Sequence, residues 1–389
     1  MNIGVLGGGQ LARMMVEAAT PLGLRLAVLA EGPDVSAAQV SPGAQVGDVT
    51  DRAAVLDFTD GLDAVTVDHE HVPPAVLAAI AATGVAVRPG PEALIHASDK
   101  AVMRRRLSRA HVPCPAWRVV ADAEALAAFA ADHGWPVIAK VSRGGYDGKG
   151  VWRIDDPAAA AEPFRALSGP QGPTEAPRDA DAETVIIAEE YIPFARELSV
   201  LVARRPGGEM VTYPVTETVQ RNGICRETTT PAPGFPADRG AAVQAMAERI
   251  ATELDVVGIL AVELMERPSG EVVVNELAMR PHNTGHWTIE GAVTSQFENH
   301  LRAVADLPLG SPELRAPVTV MSNILGGSKP DLLGSLAAVL VDPRLKVHLY
   351  GKGVRPGRKV GHVTVCGSDL DQVQSAASAA SAHLEGSRS

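Results

Sequence analysis

The chain has 389 residues, of which 46% are hydrophobic and 4% aromatic, so it can form two or three packed domains and is not a single small module. Its formal net charge is −11 and its pI is near 5.5. Its basic residues are scattered, which excludes the basic stripe typical of a nucleic-acid-binding protein and favours small molecules as partners.

The cysteines and the apolar segments indicate the compartment. The three cysteines lie far apart, without the spacing of a metal site or the even count of a disulfide framework, which favours a reducing compartment. The N-terminus lacks a basic segment followed by a long apolar one, and no run of 18 or more apolar residues occurs. We therefore expect a cytoplasmic protein with no membrane partner.

Strands and helices alternate in the first part of the chain. Residues 2–6 form an apolar strand, a glycine turn follows, and apolar spacing predicts a helix over 11–19. Further strands are predicted at 24–29 and within 64–73. This alternation indicates a parallel α/β sheet, and we place the end of the first domain at residue 93, among punctuating Pro and Gly residues.

Antiparallel strands are predicted to dominate the second domain, residues 94–304. Its expected elements are a basic helix from 99, a strand at 116–120, helices at 122–133 and 238–254, strands at 135–141, 183–191, 196–204 and 209–216, and a strand pair at 258–278. The polar stretch 168–183 is expected to be a surface excursion without structure. A small C-terminal domain, 305–372, ends in a strand at 360–366, and 373–389 is expected to be a weakly helical or disordered tail.

The turn after the first strand has three interpretations. Gly7 to Ala12 read G-x-G-x-x-A between a strand and a helix, and Glu31 follows the second strand, which resembles a dinucleotide fingerprint. The glycines are equally consistent with a tight turn alone. The third interpretation is that Gln10 and the helix N-terminus receive an anionic substrate.

A glycine-rich loop, "SRGGYDGKGVW" at 142–152, follows Lys140. Such loops commonly hold phosphate, although this spacing is not that of a P-loop. Further along, "AVELM" and "VNELA" each carry an acidic residue within an apolar run, at Glu263 and Glu276. Paired antiparallel strands would put both carboxylates on one face, beside Asn275. A divalent cation, Mg²⁺ or alternatively Mn²⁺, or ion pairing with Lys or Arg would offset their repulsion.

Three polar residues follow Glu276 closely: Arg280, His282 and Asn283. Their donors are suited to a small planar anion such as a carboxylate, bicarbonate or an acyl phosphate.

These features together resemble the ATP-grasp superfamily. Seven ordered motifs across about residues 1–365 look like the 5-(carboxyamino)imidazole ribonucleotide synthase family of purine biosynthesis: "GGGQLARM", "DHEHVP", "GGYDGKG", "NEL", "RPHNTGHW", "SQFENHLRA" and "VRPGRKVGH". The resemblance implies an α/β and α+β fold with a Rossmann-like N-terminal domain, a two-lobed ATP-grasp domain and a small β-rich C-terminal domain, usually as a homodimer. It implies the ATP-dependent joining of bicarbonate to the amine of 5-aminoimidazole ribonucleotide.

The resemblance also implies roles for individual residues. The glycine-rich loop would close over the triphosphate as a lid, the end of the strand at Glu189–Ile192 would contact adenine through its backbone, and Glu197 would accept the ribose hydroxyls. The expected ATP-binding residues are Lys100, Lys140, Gly145, Tyr146, Asp147, Gly148, Lys149, Gly150, Val151, Glu189, Glu190, Tyr191, Ile192, Glu197, Gln220, Asn275 and Glu276. The expected Mg²⁺ ligands are Glu263 and Glu276, the catalytic residues Arg280, His282, Asn283 and Lys352, and the ribonucleotide-binding residues Gln10, Leu11, Glu70, Lys352, Arg358 and Lys359.

Two positions depart from the family pattern. Asp68 stands where the substrate loop usually has Glu, and Met279 replaces a proline that is common before the Arg. In the implied reaction bicarbonate attacks the γ-phosphate to give carboxyphosphate, and His282 or the liberated phosphate takes the proton from the amine.

Two rival functions share some of these features. A formate-dependent glycinamide ribonucleotide transformylase has related domain order and chemistry. An NAD-dependent dehydrogenase would depend on the glycine turn alone and would leave the carboxylate pair unexplained.

Overall fold

The computed structural model describes residues 1–145, 149–168, 184–221 and 223–386. The N-terminal elements are β1 (Asn2–Leu6), α1 (Gln10–Ala19), β2 (Arg25–Ala30), β3 (Gly43–Val46), α2 (Arg52–Thr59), β4 (Ala64–Val67), α3 (Pro74–Ala82), β5 (Ala86–Val87) and α4 (Pro91–Ser98). The strands form a parallel sheet in the order β3-β2-β1-β4-β5, which confirms the predicted parallel α/β arrangement. The sequence did not predict β3, whose residues are mostly exposed.

A second unit is built around a small antiparallel sheet. Its elements are α5 (Lys100–Arg109), β6 (Trp117–Val120), α6 (Ala123–His133), β7 (Val137–Val141), β8 (Val151–Ile154), α7 (Glu162–Ser168) and β9 (Ile186–Glu190). The strand order is β6-β9-β7-β8, and α6 packs Leu126 and Phe129 onto the sheet. The predicted excursion lies outside the described residues, apart from Ser168 at the end of α7.

The remaining strands form one large sheet. The elements of this part are β10 (Arg196–Arg204), β11 (Met210–Thr212), β12 (Thr216–Arg221), β13 (Ile224–Thr230), α8 (Ala237–Glu253), β14 (Gly258–Glu266), β15 (Val272–Ala278), α9 (Thr288–Gly291), α10 (Gln296–Val304), β16 (Val318–Leu325), α11 (Leu336–Val339), β17 (Lys346–Leu349), β18 (Lys359–Gly367) and α12 (Leu370–Glu385). The order is β15-β14-β10-β12-β13-β16-β18-β17, with β11 paired to β10. The C-terminal strands therefore continue the central sheet through the antiparallel pair β13 and β16.

Residues 373–389 were expected to be weakly helical or disordered, and in the described part of this segment the structure shows a packed helix and not a free tail. Helix α12 begins after the N-cap Asp369 and ends at Gly386, a left-handed C-cap. Its apolar side chains, spaced by four and three residues, are buried against the core of the C-terminal strands: Val373, Ala377, Ala380 and Leu384. Burial of this face stabilises a helix that its Ala- and Ser-rich composition alone made look weak. The domain boundaries at 93, 304 and 372 stay predictions.

The N-terminal sheet is fixed to the central unit by helix packing. Phe297 and Leu301 of α10 are buried in one cluster with Ile3 of β1 and Met15 of α1. This packing holds the loops at the carboxyl ends of the parallel strands against the central sheet. In the described part of the chain, no helix has the length and apolar character needed to cross a membrane.

Candidate active site

The two carboxylates of the β14–β15 hairpin lie side by side. Glu263 and Glu276 are register partners on adjacent antiparallel strands, which confirms their predicted placement on one face. The register shifts just beyond this pair, because Leu264 faces Val274. Asn275 is therefore an extra residue in β15, and this bulge sits directly at the carboxylates, as bulges often do beside active sites.

Each carboxylate of the pair has a cationic or potentially cationic neighbour. Lys100 at the start of α5 is ion-paired with Glu276, and His282 Nε2 lies 3.2 Å from Glu263 Oε1. Burial raises the pKa of Glu276, but the nearby cations Lys100, Lys140 and Arg104 together outweigh it, so the pKa is lowered. The ion pairing that the sequence left as an alternative to a cation is thus present at Glu276.

The cluster after β15 points into the same site. Arg280 Nε lies 2.8 Å from Glu70 Oε1, in the loop that follows β4. His282 Nδ1 lies 2.9 Å from Thr284 Oγ1. The Oδ1 atom of Asn283 is buried and has no hydrogen-bond partner among the described residues. An acceptor left in this state requires a ligand or water to satisfy it.

These side chains line a cleft with a volume of about 180 Å³. Its walls come from the loop after β4, the helices α4 and α5, the start of the glycine-rich loop, β14, β15 and the segment after β15. The lining side chains that carry charge or polarity include Glu70, His71, Ser98, Lys100, Arg143, Glu263, Glu276, Arg280, His282 and Asn283.

The glycine-rich loop begins at this cleft. Gly145 lies so close to the backbone of Lys149 that an added Cβ would be 2.7 Å from the Lys149 carbonyl oxygen. Gly150 has a φ of +71°, a conformation that favours glycine. Val151 starts β8 and is partly exposed. The predicted loop residues Tyr146, Asp147 and Gly148 lie outside the described residues, so the lid remains a prediction.

Lys140, on β7, faces the bulge and not the open cleft. Its Nζ atom lies 2.7 Å from Glu189 Oε2 and 3.2 Å from Asn275 Oδ1. The lysine is thus placed beside the carboxylate hairpin by two oxygen acceptors.

Part of the strand end predicted to contact adenine has backbone partners within the protein, and the contact itself stays a prediction. The backbone of Glu189 lies inside the small sheet, between β6 and β7, and the Glu190 N–H donates to the Ala116 carbonyl. The Glu190 side chain accepts from Arg267, and the Tyr191 ring lies under the Arg153 guanidinium. The Phe194 N–H donates to the carbonyl of buried Ile192, so among the described residues the main chain of Tyr191 and the Ile192 N–H remain for the predicted backbone contact.

Glu197 and Gln220 lie on neighbouring strands of the large sheet. Glu197 on β10 is the register partner of Thr218, two residues before Gln220 on β12. Burial and the nearby charge of Glu263 raise the pKa of Glu197 to about 7. Neither residue lines the first cleft.

A second cleft lies beside the N-terminal glycine turn and contains part of the predicted ribonucleotide site. Lys352 donates a hydrogen bond to Gln10 Oε1 at the start of α1. Lys352 and Arg358 line this cleft, whereas Lys359, at the start of β18, is not among its lining residues. Leu11 is 4% exposed and packs in the core, so only its main chain can face a ligand there.

Two carboxylates already occupy the amide donors of the glycine turn. Asp68 accepts the Gly9 and Ala12 N–H groups at 2.6 and 2.9 Å, and Glu31 accepts the Gly8 N–H at 3.2 Å. A dinucleotide pyrophosphate would have to displace both carboxylates. The dehydrogenase interpretation therefore loses its one structural support. Met279, the other departure from the family pattern, is fully buried in the core, as expected for a packing residue.

Sequence reasoning missed three polar residues around the site. Asp99 caps α5 through the Ala101 and Val102 N–H groups, and its other oxygen lies 2.7 Å from Arg143 Nε. Arg104, one turn after Lys100, is fully buried. The Asp before the basic helix was a readable N-cap signal, whereas no sequence signal distinguishes Arg104 from its basic neighbours.

Comparison with known proteins covers nearly the whole chain. Three family models match: the ribonucleotide synthetase preATP-grasp domain over residues 1–98, the ATP-grasp domain over 105–297, and the phosphoribosylaminoimidazole carboxylase C-terminal domain over 319–376. The matched domains follow the order that the motifs implied.

Individual relatives are similar to this chain over nearly its whole length. N5-carboxyaminoimidazole ribonucleotide synthase of Mycobacterium tuberculosis is 48% identical over 377 residues, which cover 95% of this chain and 85% of that protein. The crystal structure of the Thermus thermophilus synthetase is 36% identical, with a TM-score of 0.86 and 99% of each chain covered. The Aspergillus clavatus synthase in complex with ADP and 5-aminoimidazole ribonucleotide is 30% identical, with a TM-score of 0.87, and the match covers 99% of this chain and 98% of that one. The chain belongs to the family of N5-carboxyaminoimidazole ribonucleotide synthases, which are ATP-grasp ligases.

Proposed function

We propose that this protein uses ATP and bicarbonate to carboxylate the amine of 5-aminoimidazole ribonucleotide in purine biosynthesis. The observation that carries the proposal is the first cleft, where the paired carboxylates Glu263 and Glu276 meet the anion-binding cluster of Arg280 and Asn283. Solved relatives in complex with ATP, and with ADP and 5-aminoimidazole ribonucleotide, support the same set of small-molecule substrates.

The reaction divides into three bond changes. A bicarbonate oxygen attacks the γ-phosphorus of ATP, and ADP leaves. The resulting carboxyphosphate breaks its carbon–oxygen bond to phosphate and releases CO₂. The ribonucleotide amine then attacks the CO₂ carbon and loses a proton. Placement beside the amine and exclusion of water are the main requirements, because both carboxyphosphate and CO₂ are easily lost to solvent.

The cationic side chains would neutralise charge during phosphoryl transfer. We assign the ATP phosphates to Lys100 and Lys140. We assign the bicarbonate-derived group to Arg280, whose guanidinium donates to it, and to Asn283, whose Oδ1 can accept from the bicarbonate hydroxyl. The second cleft would hold the ribonucleotide phosphate through Lys352 and Arg358. The loop after β4 borders both clefts, with Glu70 in the first and Asp68 in the second.

The donor set near the bulge fits Mg²⁺. In the described residues no group of three or more His, Cys, Asp and Glu side chains is arranged to hold a metal ion. Two carboxylates and the Asn275 amide oxygen are the partial, all-oxygen set with which proteins hold Mg²⁺ together with water and substrate phosphates. Glu263 and Glu276 would hold the cation, which supplies charge neutralisation to the phosphates; Mn²⁺ has the same ligand preference.

Hydrogen bonding at His282 favours phosphate as the proton acceptor. His282 Nε2 lies 3.2 Å from a Glu263 carboxylate oxygen, which favours a proton on Nε2 and leaves Nδ1 to accept from Thr284. Both ring nitrogens then have protein partners. We therefore assign the amine proton to the liberated phosphate and a positioning role to His282.

We also propose that the protein is a cytoplasmic homodimer, as the family resemblance implies. Sedimentation equilibrium of the purified chain tests the dimer directly, and a single monomeric species would contradict it.

The activity is tested by measuring ADP release with ATP and Mg²⁺ while bicarbonate and 5-aminoimidazole ribonucleotide are omitted in turn. We expect full turnover only with both. Formate with glycinamide ribonucleotide serves as the rival pair, and turnover with that pair alone would favour the transformylase and contradict the proposal.

The magnesium assignment predicts a specific defect in Glu263→Gln. Loss of one ligand charge should lower turnover by at least about tenfold, because charge-assisted contacts contribute about 1.5–3 kcal/mol. The Mg²⁺ concentration at half-maximal rate should rise. Glu271→Gln, on the exposed turn of the same hairpin, is the matched control and should behave like the wild type. An unchanged Mg²⁺ dependence with lowered thermal stability would instead make Glu263 a structural ion-pair partner.

A further inference from the structure

Arg104 connects three parts of the nucleotide site from a fully buried position. Its Nε atom donates to Glu189 Oε1 at 2.7 Å. Its two terminal nitrogens donate to the carbonyl oxygens of Val274 and Asn275, at 3.1 and 2.8 Å. Those carbonyls belong to the bulge of β15, immediately before the carboxylate Glu276. One guanidinium thus holds α5, β9 and the metal-site strand together.

Glu189 is shared between two cations. One oxygen accepts from Arg104, and the other lies 2.7 Å from Lys140 Nζ. Glu189 is 2% exposed. Burial raises the pKa of Glu189, but Arg104 and Lys140 outweigh it and lower the pKa to about 2, so the group is ionised at neutral pH.

Lys140 contacts both Glu189 and Asn275, the two residues that Arg104 also contacts. Its ammonium donates to Asn275 Oδ1 at 3.2 Å, and the Asn275 carbonyl is one of the two that Arg104 holds. An ammonium has three donors. With two directed at Glu189 and Asn275, one donor of Lys140 remains for an anion, within the contacts of the described residues.

We propose that Arg104 is a positioning residue for ATP, which sets the place of Lys140 by sharing the Glu189 carboxylate and by holding the Asn275 bulge. The inference rests on the proposed function in one respect, that Lys140 binds ATP phosphate. If Arg104 loses its charge, Glu189 keeps Lys140 as its ion-pair partner and attracts the ammonium more strongly. The lysine is then less available to phosphate.

The planar fork explains why arginine suits this position. Arg104 uses one nitrogen for the carboxylate and two for adjacent main-chain carbonyls, a geometry that an ammonium on a flexible stem cannot reproduce. A lysine would keep the charge opposite Glu189 but lose the hold on the bulge. Substitutions can therefore separate the effect of the charge opposite Glu189 from the effect of the hydrogen bonds to the bulge.

The first test measures binding of a non-hydrolysable ATP analogue with Mg²⁺ by calorimetry. Arg104→Met should weaken binding by about 10-fold or more, the effect of losing a charge-assisted contact. Arg106→Met on the same helix is the matched control, since Arg106 is 42% exposed and pairs with Glu253. Unchanged affinity in folded Arg104→Met would overturn the proposal.

A double-mutant cycle tests whether Arg104 acts through Lys140. The double variant Arg104→Met/Lys140→Met should bind the analogue as Lys140→Met does, within about twofold, because the lysine is the route of the effect. Independent losses that multiply would show that Arg104 supports the fold alone and would refute the positioning role.

Arg104→Lys covers the case in which Arg104→Met does not fold. We expect Arg104→Lys to be less thermally stable than the wild type, because it loses the hydrogen bonds to the bulge. We expect it to lose less affinity for the analogue than a neutral substitution that folds, such as Arg104→Gln, because it keeps the charge. Equal affinity losses in Arg104→Lys and Arg104→Gln would contradict the role of charge. These binding measurements need no carboxylation, so an enzyme that binds ATP but ignores bicarbonate would refute the proposed function and leave this inference standing.

Discussion

Glu197 combines a buried carboxyl with a nearby negative charge. Its pKa of about 7 in the folded protein lies above its ordinary value of 4.5, because of burial and Glu263. The folded protein therefore retains a proton that the unfolded chain has already released between these two pH values. The stability that Glu197 contributes is present below pH 4.5 and is lost as the pH rises through about 7.

Glu197→Gln should remove this pH dependence. We expect the melting temperature of the variant, relative to the wild type, to increase steadily as the pH is raised from 4.5 to about 8. Glu124→Gln, exposed on α6, shows whether the loss of any one carboxylate gives the same trend. A constant difference between Glu197→Gln and wild type across this range would mean that Glu197 ionises in the folded protein as it does in the unfolded chain.

Site residues were predictable from the sequence where they lie close together in one short motif. Glu263, Glu276 and Arg280 occur within one hairpin and its exit, and the antiparallel register brings the carboxylates together. Arg104 was not predictable, because its carboxylate partner lies 85 residues away and its two following neighbours are also arginines. The role of Asp68 as an acceptor for the start of α1 likewise depends on a contact across 59 residues.

Helix α12 shows how packing decides the state of an element. Leu384→Ala removes a side chain that is fully buried against the C-terminal strands. We expect a loss of about 2–5 kcal/mol in the free energy of unfolding, as for other buried leucines. Leu333→Ala is the matched control, since Leu333 is 73% exposed. Denaturant unfolding of both variants measures the difference, and equal stabilities would mean that α12 does not contribute to the core.

The elements that the sequence did not predict, or predicted only weakly, share a weak hydrophobic pattern. In α12 three of the five buried positions are small residues, two alanines and one serine, so the buried face carries only a weak apolar pattern. In β3 the sequence "GAQV" has one strong strand former and mostly exposed positions. The β14–β15 hairpin was predictable because two apolar runs flank a Pro-Ser-Gly turn.

Across the whole molecule, the two clefts predict two different kinetic defects. Lys352→Ala removes a cation from the second cleft, remote from the phosphoryl transfer, so the Michaelis constant for the ribonucleotide should rise while ATP binding is kept. Arg280→Ala removes a cation from the first cleft, where charge changes during the reaction, so the turnover number should fall. Each loss should be about 10- to 150-fold, corresponding to about 1.5–3 kcal/mol.

Steady-state kinetics with each substrate varied in turn distinguish the two variants. The same defect in both would mean that the clefts act as one site. Weakened ATP binding alone in Lys352→Ala would reassign the C-terminal segment to the nucleotide.

The sheet that runs from β15 to β17 limits how this protein can be shortened. Because β16 supplies the hydrogen-bonding partner of β13, a chain that stops before Val318 would leave β13 with an open row of unpaired amides and carbonyls. Such an edge is a template for pairing with another molecule. We therefore expect the first 317 residues, produced alone, to associate into oligomers or aggregates, which light scattering would detect, although that fragment contains every residue lining the first cleft.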